Sequence, residues 1–315
     1  MKKYILGVDV GGTNIKLGVI DKTGSIISRS RLDTKSYIRS KNKLIEAVIT
    51  EINDMFSSCN LKKSHFVGVG IGLPGLVDPI NGIVKFLPNI PGWKNVPLKK
   101  IFEKQLFLPA YIENDVNMIT LGEWKYGAGK GVSDMICLTL GTGVGSGLIL
   151  DGKLYRGAGY AAGELGHIPL NEKGPQCGCK GYGCLESYVG NQRLQERAAK
   201  IFKRKQIVLE EVTDLAEQGN LRAKEFWQET ASHIGNALTG VVNLLNPTRI
   251  VIGGGVSDAH KFLFKTIEKT IKNRAMKVQA SMFKIVKAKL GGDGGIIGAR
   301  VLVEDMKSLK RKKKE

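Results

Sequence analysis

Two segments of matching pattern constrain this 315-residue chain most: Gly7–Ile20, GVDVGGTNIKLGVI, and Leu138–Leu150, LTLGTGVGSGLIL. Each runs a Val- and Ile-rich strand into a glycine turn and out along a second strand, which predicts a β-hairpin in each half of the chain. Helix-period patterns follow both hairpins, so the chain reads as α/β with a duplicated architecture and a ligand held between the halves.

In the first half, Tyr4–Val10, Lys16–Ile20 and Ile26–Arg31 are expected to form an antiparallel meander. A helix over Lys41–Phe56 follows, because Leu44, Val48, Ile52 and Met55 recur at helical spacing, with Ile45, Ile49 and Phe56 widening the stripe. Strands are expected at Phe66–Gly72 and Pro109–Glu113. The second half predicts a helix from Asn117 to Trp124, strands at Asp134–Leu140 and Gly147–Leu150, and helices at Asn191–Lys203, Val212–Glu217 and Leu221–Leu245. A strand at Arg249–Ile252 then runs into Gly253, Gly254 and Gly255. The expected division is a small α/β domain at 1–116, completed by a helix over 297–308, a large α/β domain at 117–296, and a basic tail at 309–315. No long linker separates the domains, so they are expected to pack around a cleft.

Hydrophobic content of 42% and charged content of 24% are those of an ordinary soluble protein. No stretch reaches the roughly 18 uninterrupted apolar residues of a membrane span. The opening MKKYILGVDVGG lacks a signal-peptide cleavage pattern, and a cytoplasmic protein is expected. The net charge of +19 raises the question of nucleic acid, since clustered Lys and Arg gain affinity by releasing phosphate counterions. The distribution argues for a solvated surface instead: Lys307–Glu315 holds six basic residues and one acidic one, and the remaining excess is spread without an aromatic-interleaved patch. No specific nucleic-acid partner is expected, and the Lys-rich tail is expected to be disordered. Of the five cysteines, Cys177, Cys179 and Cys184 lie within eight positions, a spacing that favours metal over disulfide in a reducing compartment. Cys59 and Cys137 stand alone and read as core or near-core residues.

Glycine turns let backbone amides approach a ligand where a side chain would block them, and such turns suit phosphate oxygens. In DVGGTN, Asp9 adds a carboxylate able to hold a Mg²⁺ shell, and Thr13 and Asn14 add side-chain donors. The chain has no GxxxxGK[ST] loop, and GTGVGSG precedes a strand where a dinucleotide fingerprint opens a helix. The expectation is an ATP-binding fold that clamps phosphate with β-hairpins.

Five ordered motifs carry a family resemblance: DVGGTN at Asp9–Asn14, GIGLPGLVD at Gly70–Asp78, ENDVN at Glu113–Asn117, GELGH at Gly163–His167 and CGCKGYGCLE at Cys177–Glu186. Together they resemble the signature set of the ROK family (repressors, open reading frames and kinases), from Gly7 to about Gly298. The resemblance implies the actin-like ATPase fold of hexokinase and Hsp70, two α/β domains with ATP and sugar in the cleft between them. It implies nucleotide contacts at Asp9, Gly11, Gly12, Thr13, Asn14, Lys16, Gly141, Thr142, Gly143, Gly254 and Gly255. It implies sugar contacts at Gly75, Asn114, Asp115, Glu164, His167 and Glu186. Family repressors carry a DNA-binding segment ahead of the first hairpin; this chain begins at that hairpin and resembles the kinase branch. LGGDGG at Leu290–Gly295 departs from the GDDAG-like sequence of relatives, on the nucleotide side.

Phosphoryl transfer needs an aligned hydroxyl, neutralised phosphate charge and a proton acceptor. Asn114 and Asp115, at a strand end before a helix, also read as an ordinary cap or turn. By resemblance Asp115 is the catalytic base. Sugar hydroxyls suit carboxylates, which accept in pairs, and this fits Glu164 and Glu186. His167 with Cys177, Cys179 and Cys184 offers one nitrogen and three sulfurs, a Cys₃His set that fills a tetrahedral Zn²⁺ shell and leaves no open position. Such zinc is structural, fastening the loop of Glu186 to the segment of Glu164. LPNIPGWKNVPL at Leu87–Leu98 and LGEWKYGAGKG at Leu121–Gly131 resemble glucokinase-like members, so the expected reaction is transfer from ATP to the glucose 6-hydroxyl. N-acetylmannosamine, N-acetylglucosamine and other hexoses stay open as substrates, as does a sugar-binding regulator without catalysis. The resemblance implies a homodimer or homotetramer.

Overall fold

A computed structural model of the chain describes residues 3–37, 39–87 and 90–312. Part of the Leu87–Leu98 motif, at 88–89, and the end of the basic tail, at 313–315, lie outside the described residues. The chain forms two compact units: 1–131 with 156–162 and 292–315, and 132–155 with 163–291.

In the first unit, β1 (Tyr4–Val10), β2 (Asn14–Ile20) and β3 (Ile26–Asp33) form the expected meander, and α1 (Lys41–Ser58) follows. Next come β4 (Phe66–Leu73) and a small antiparallel sheet of β5 (Leu76–Asp78), β6 (Ile83–Phe86) and β7 (Lys94–Val96). The unit continues with α2 (Leu98–Leu106), β8 (Ala110–Asn114) and α3 (Asp115–Tyr126). The main sheet has the order β3-β2-β1-β4-β8, with β1, β4 and β8 parallel. Leu6, Val8 and Val10 pack with α1 and α2, while the other face of β1 meets the C-terminal helix at Gly7. A side chain at Gly7 or Gly70 would run into Ile296 or Ala299, so glycine there lets helix and sheet approach closely.

The second unit repeats the plan. β9 (Met135–Leu140), β10 (Val144–Leu150) and β11 (Lys153–Tyr155) make a second meander, followed by α4 (Glu186–Val189), α5 (Asn191–Ile201), α6 (Leu209–Glu217) and α7 (Leu221–Leu245). Then come β12 (Arg249–Gly253), α8 (His260–Arg274), α9 (Lys277–Met282) and β13 (Lys284–Lys287). The order β11-β10-β9-β12-β13 matches the first sheet strand for strand, again with the last connections parallel. One core joins Ile136, Leu138 and Leu140 of β9 to Phe226, Trp227 and Ile234 of α7 and Leu263 and Ile267 of α8. The last helix, α10 (Gly294–Lys312), belongs to the first unit.

Three expectations need correction. α3 starts at Asp115 and not at Asn117, because Asn114 caps it, its side chain accepting from the Val116 and Asn117 amides. β10 starts at Val144 and not at Gly147: the glycines of GTGVGSG that resemble a turn pair with β9, Gly145 opposite Thr139 and Gly147 opposite Cys137. Residues 309–312 of the expected tail are helical, since α10 runs on through Lys312. Among the described residues no helix is long and apolar enough to cross a membrane.

Candidate active site and metal centre

Sheet register assembles the first group of site residues. Asp9 pairs with Lys16 on β2 and Gly72 on β4, and Gly72 pairs with Glu113 on β8, so the carboxyl ends of three parallel strands lie side by side. Ligands of open α/β sheets bind at such ends. The first glycine turn closes there, with the Gly11 amide donating to the Asn14 carbonyl (2.9 Å) and the Thr34 hydroxyl to the Gly11 carbonyl (2.8 Å). Thr13 is exposed at its tip. Asn14 accepts from Arg31 Nε (2.7 Å), and Lys16 Nζ donates to the Gly292 carbonyl (2.8 Å). The departing LGGDGG segment thus forms part of this wall: Asp293 pairs with Arg29, and a Cβ on Gly295 would strike the Asp9 carboxylate.

Asn114 does more than cap α3, for its amide nitrogen also donates to the Gly75 carbonyl (3.3 Å). Of its two amide hydrogens this uses one. Asp115 opens the helix, Oδ1 accepting from the Val116 amide (2.9 Å). Asp9 and Asp115 are near enough to repel each other. Burial and then this repulsion push the Asp9 carboxyl up to about 7, against the pull of Lys16.

That shift has a measurable sign. Between about pH 4 and 7 the folded protein holds a proton at Asp9 that the unfolded chain has lost, so stability falls as pH rises through this window. Asp9→Asn is expected to stabilise the fold at pH 8, on the order of 1–3 kcal/mol, and to change it little at pH 4. Urea unfolding at both values checks this; an equal effect at the two would contradict the crowding of Asp9 and Asp115.

In the second unit the equivalent strand ends carry Gly141–Gly143, after β9, and Gly253–Gly255, which begins with the last residue of β12, with Gly253 opposite Thr139. The turn closes as the first does, the Gly141 amide donating to the Gly143 carbonyl (3.0 Å). Thr142 is exposed at its tip. Gly254 is conformationally required: its φ is +84°, and a Cβ would lie 2.1 Å from the Leu140 carbonyl oxygen. Gly12, Gly141 and Gly255 are different. None has φ in the left-handed region, and among the described residues a Cβ on any of them would meet no atom within 4 Å beyond its chain neighbours, so neither backbone nor packing demands glycine there. A ligand drawn against the backbone would.

Glu186, at the start of α4, accepts from the Val144 amide (2.9 Å) and lies 3.8 Å from Cys177 Sγ. Glu164 is 67% exposed, with Oε2 4.0 Å from His167 Nε2. The other imidazole nitrogen, Nδ1, faces Cys177 Sγ at 3.6 Å, and Cys179 and Cys184 Sγ are also 3.6 Å apart. All four ligand atoms of this set lie within 4.8 Å of one another. Zn–S bonds near 2.3 Å and Zn–N bonds near 2.0 Å at tetrahedral angles put sulfurs about 3.8 Å apart and sulfur and nitrogen about 3.6 Å apart. The residues fit that ion. Left without a cation the Cys184 thiol is pushed up to about 12, by burial first and then by hydrogen bonding to Cys179 and Cys177.

Two features escaped the sequence. Glu113, 2% exposed, is paired with Arg156, 43 positions away (2.6 Å). A cavity of about 190 Å³ in the second unit is lined by Leu209, Thr213, Trp227, Gly255, Val256 and other residues. Trp227 Nε1 is buried with no partner among the described residues.

The ROK family model matches residues 5–306. The glucokinase of Halalkalibacterium halodurans is 34% identical, covering 99% of this chain and 98% of its own. A crystal structure of a ROK family glucokinase from Streptomyces griseus, in complex with glucose and AMPPNP, superposes with a TM-score of 0.81 at 31% identity, over 96% of this chain and 99% of that one. A ROK family transcriptional regulator, a homologue of the E. coli MLC protein, superposes with a TM-score of 0.88 at 26% identity, over 96% of this chain and 78% of that one. The motifs, the repeated sheet order and these likenesses agree: the chain belongs to the ROK family and has its actin-like ATPase fold.

Proposed function

We propose that this protein is an ATP-dependent sugar kinase of glucokinase type, transferring the γ-phosphoryl group of ATP to the 6-hydroxyl of glucose. The observation that carries the reading is the pair of carboxylates, Asp9 and Asp115, held together at one sheet end beside a glycine turn. A kinase needs one carboxylate for metal-bound phosphate and one for the attacking alcohol. The likeness to curated glucokinases, and to one solved with glucose and an ATP analogue, supports the same assignment.

In the first unit, the second Asn114 amide hydrogen would orient the sugar hydroxyl, and Asp115 would accept its proton as the oxygen attacks phosphorus. The Gly75 loop would border the sugar. Asp9 would hold Mg²⁺, which supplies charge neutralisation on the phosphate oxygens, with Gly11–Asn14 and Lys16 against the phosphates. In the second unit, Gly141–Gly143, Gly254 and Gly255 would bring backbone up to the nucleotide, the cavity beside Gly255 and Trp227 would take the base, and Glu164, His167 and Glu186 would bind sugar hydroxyls. His167, Cys177, Cys179 and Cys184 would hold a structural Zn²⁺. A cytoplasmic homodimer or homotetramer is the expected form.

The regulator likeness keeps a second reading in view, a sugar-responsive protein without catalysis. ADP release measured across glucose, mannose, fructose, allose and the N-acetylhexosamines separates the two. Sugar-dependent ADP release, fastest with glucose, is expected. Fastest turnover of an N-acetylhexosamine would replace the substrate, and no sugar-dependent release would remove the kinase.

A further inference from the structure

Glu113 is a charged side chain almost wholly removed from water, and both its oxygens are engaged. Oε1 accepts from the Asn114 amide (3.0 Å) and from Asn117 Nδ2 (3.1 Å), and Oε2 accepts from Arg156 Nε (2.6 Å). Asn117, 3% exposed, stands in the first turn of α3. The strand-to-helix turn that presents Asn114 and Asp115 is therefore braced twice: by Gly75 through the Asn114 side chain, and by Glu113 from beneath. Such a brace is costly to bury. An apolar pair of similar volume commonly folds at least as well as a buried ion pair, so stability alone gives little reason for one here.

Arg156 supplies that reason. It opens the short stretch 156–162 that belongs to the first unit while its chain neighbours on either side belong to the second. The stretch closes on itself at the neck, the Ala162 amide donating to the Arg156 carbonyl (3.0 Å), so one anchored residue fixes both ends. Gly163 and Glu164 follow directly, with the Ser146 hydroxyl bonded to the Gly163 carbonyl. Arg156 thus reaches the turn that carries Asp115 through its guanidinium and Glu113, and closes its own stretch through its backbone carbonyl.

We propose that Glu113 and Arg156 are positioning residues for phosphoryl transfer, their ion pair setting the Asn114–Asp115 turn. The geometry of a bimolecular transfer is strict, and a displacement of about 1 Å at the reacting groups can cost about 10²-fold. Arg156→Met is expected to lower kcat/KM for the sugar by about that factor.

The inference rests on the sugar-kinase reading with Asp115 as base, so Asp115→Asn is assayed alongside as that reading's own test. Arg156→Met, Arg156→Lys and the double variant Glu113→Gln/Arg156→Met are assayed with ATP and the preferred sugar, well below each melting temperature. KM for ATP is expected to stay within about threefold, and Arg156→Lys to recover part of the sugar kcat/KM. The double variant leaves no unpaired buried charge and is expected to regain melting temperature without regaining activity. Activity that returns together with melting temperature overturns the proposal, as does wild-type kcat/KM in Arg156→Met. If Asp115→Asn stays active, the base assignment fails, while the Arg156 variants still report on the brace.

Discussion

Asp115→Asn is expected to lower kcat for sugar phosphorylation by about 10²–10⁴ while leaving ATP binding intact. The substitution is nearly isosteric. Asn keeps an oxygen for the Val116 amide and leaves the Asn114 cap untouched, so α3 should start where it does now. What it removes is a group able to take the hydroxyl proton. It also removes the charge that helps hold the Asp9 carboxyl near 7, so Asp9 should titrate lower in the variant. Steady-state kinetics and calorimetry with ATP check both parts; a variant that keeps more than about a tenth of wild-type kcat excludes a general-base role of this size.

Loss of the Cys₃His centre should have the next largest effect. Elemental analysis is expected to find about one zinc per chain, lost in Cys184→Ser. Cys184 lies two residues before Glu186, whose carboxylate holds the Val144 amide behind the second glycine turn. Freeing the loop should therefore reach both the proposed sugar contact at Glu186 and β10. A melting temperature lower by about 5–15 °C and a sugar kcat/KM lower by about tenfold or more are expected. Metal-free protein with full activity and unchanged melting temperature would contradict a structural zinc.

Much of the fold is legible in the sequence because local rules and tertiary needs coincide. The β1–β2 hairpin is apolar on both sides of a glycine turn, and its pattern recurs at β9–β10 in a second sheet of the same order. The misread boundaries have local causes. Glycine disfavours strands, so Gly145 and Gly147 hide the start of β10, and Asn114, which reads equally as a cap or a turn, leaves the start of α3 open. α8 had a readable signal in Leu263, Ile267 and Ile271, diluted by the lysines between them. The Glu113–Arg156 pair had none. Its partners come from different strands and loops, and no periodicity or spacing links them. The Gly255 cavity is likewise a product of packing between α6, α7 and the segment after β12.

Transfer to the sugar with Asp115 as base is read in one experiment, phosphorus-31 NMR of wild type and Asp115→Asn mixed with ATP, Mg²⁺ and glucose. The expected result is a glucose 6-phosphate signal growing in step with ADP for the wild type, and almost none for the variant. Inorganic phosphate in place of the sugar ester, or equal product from both proteins, would contradict it.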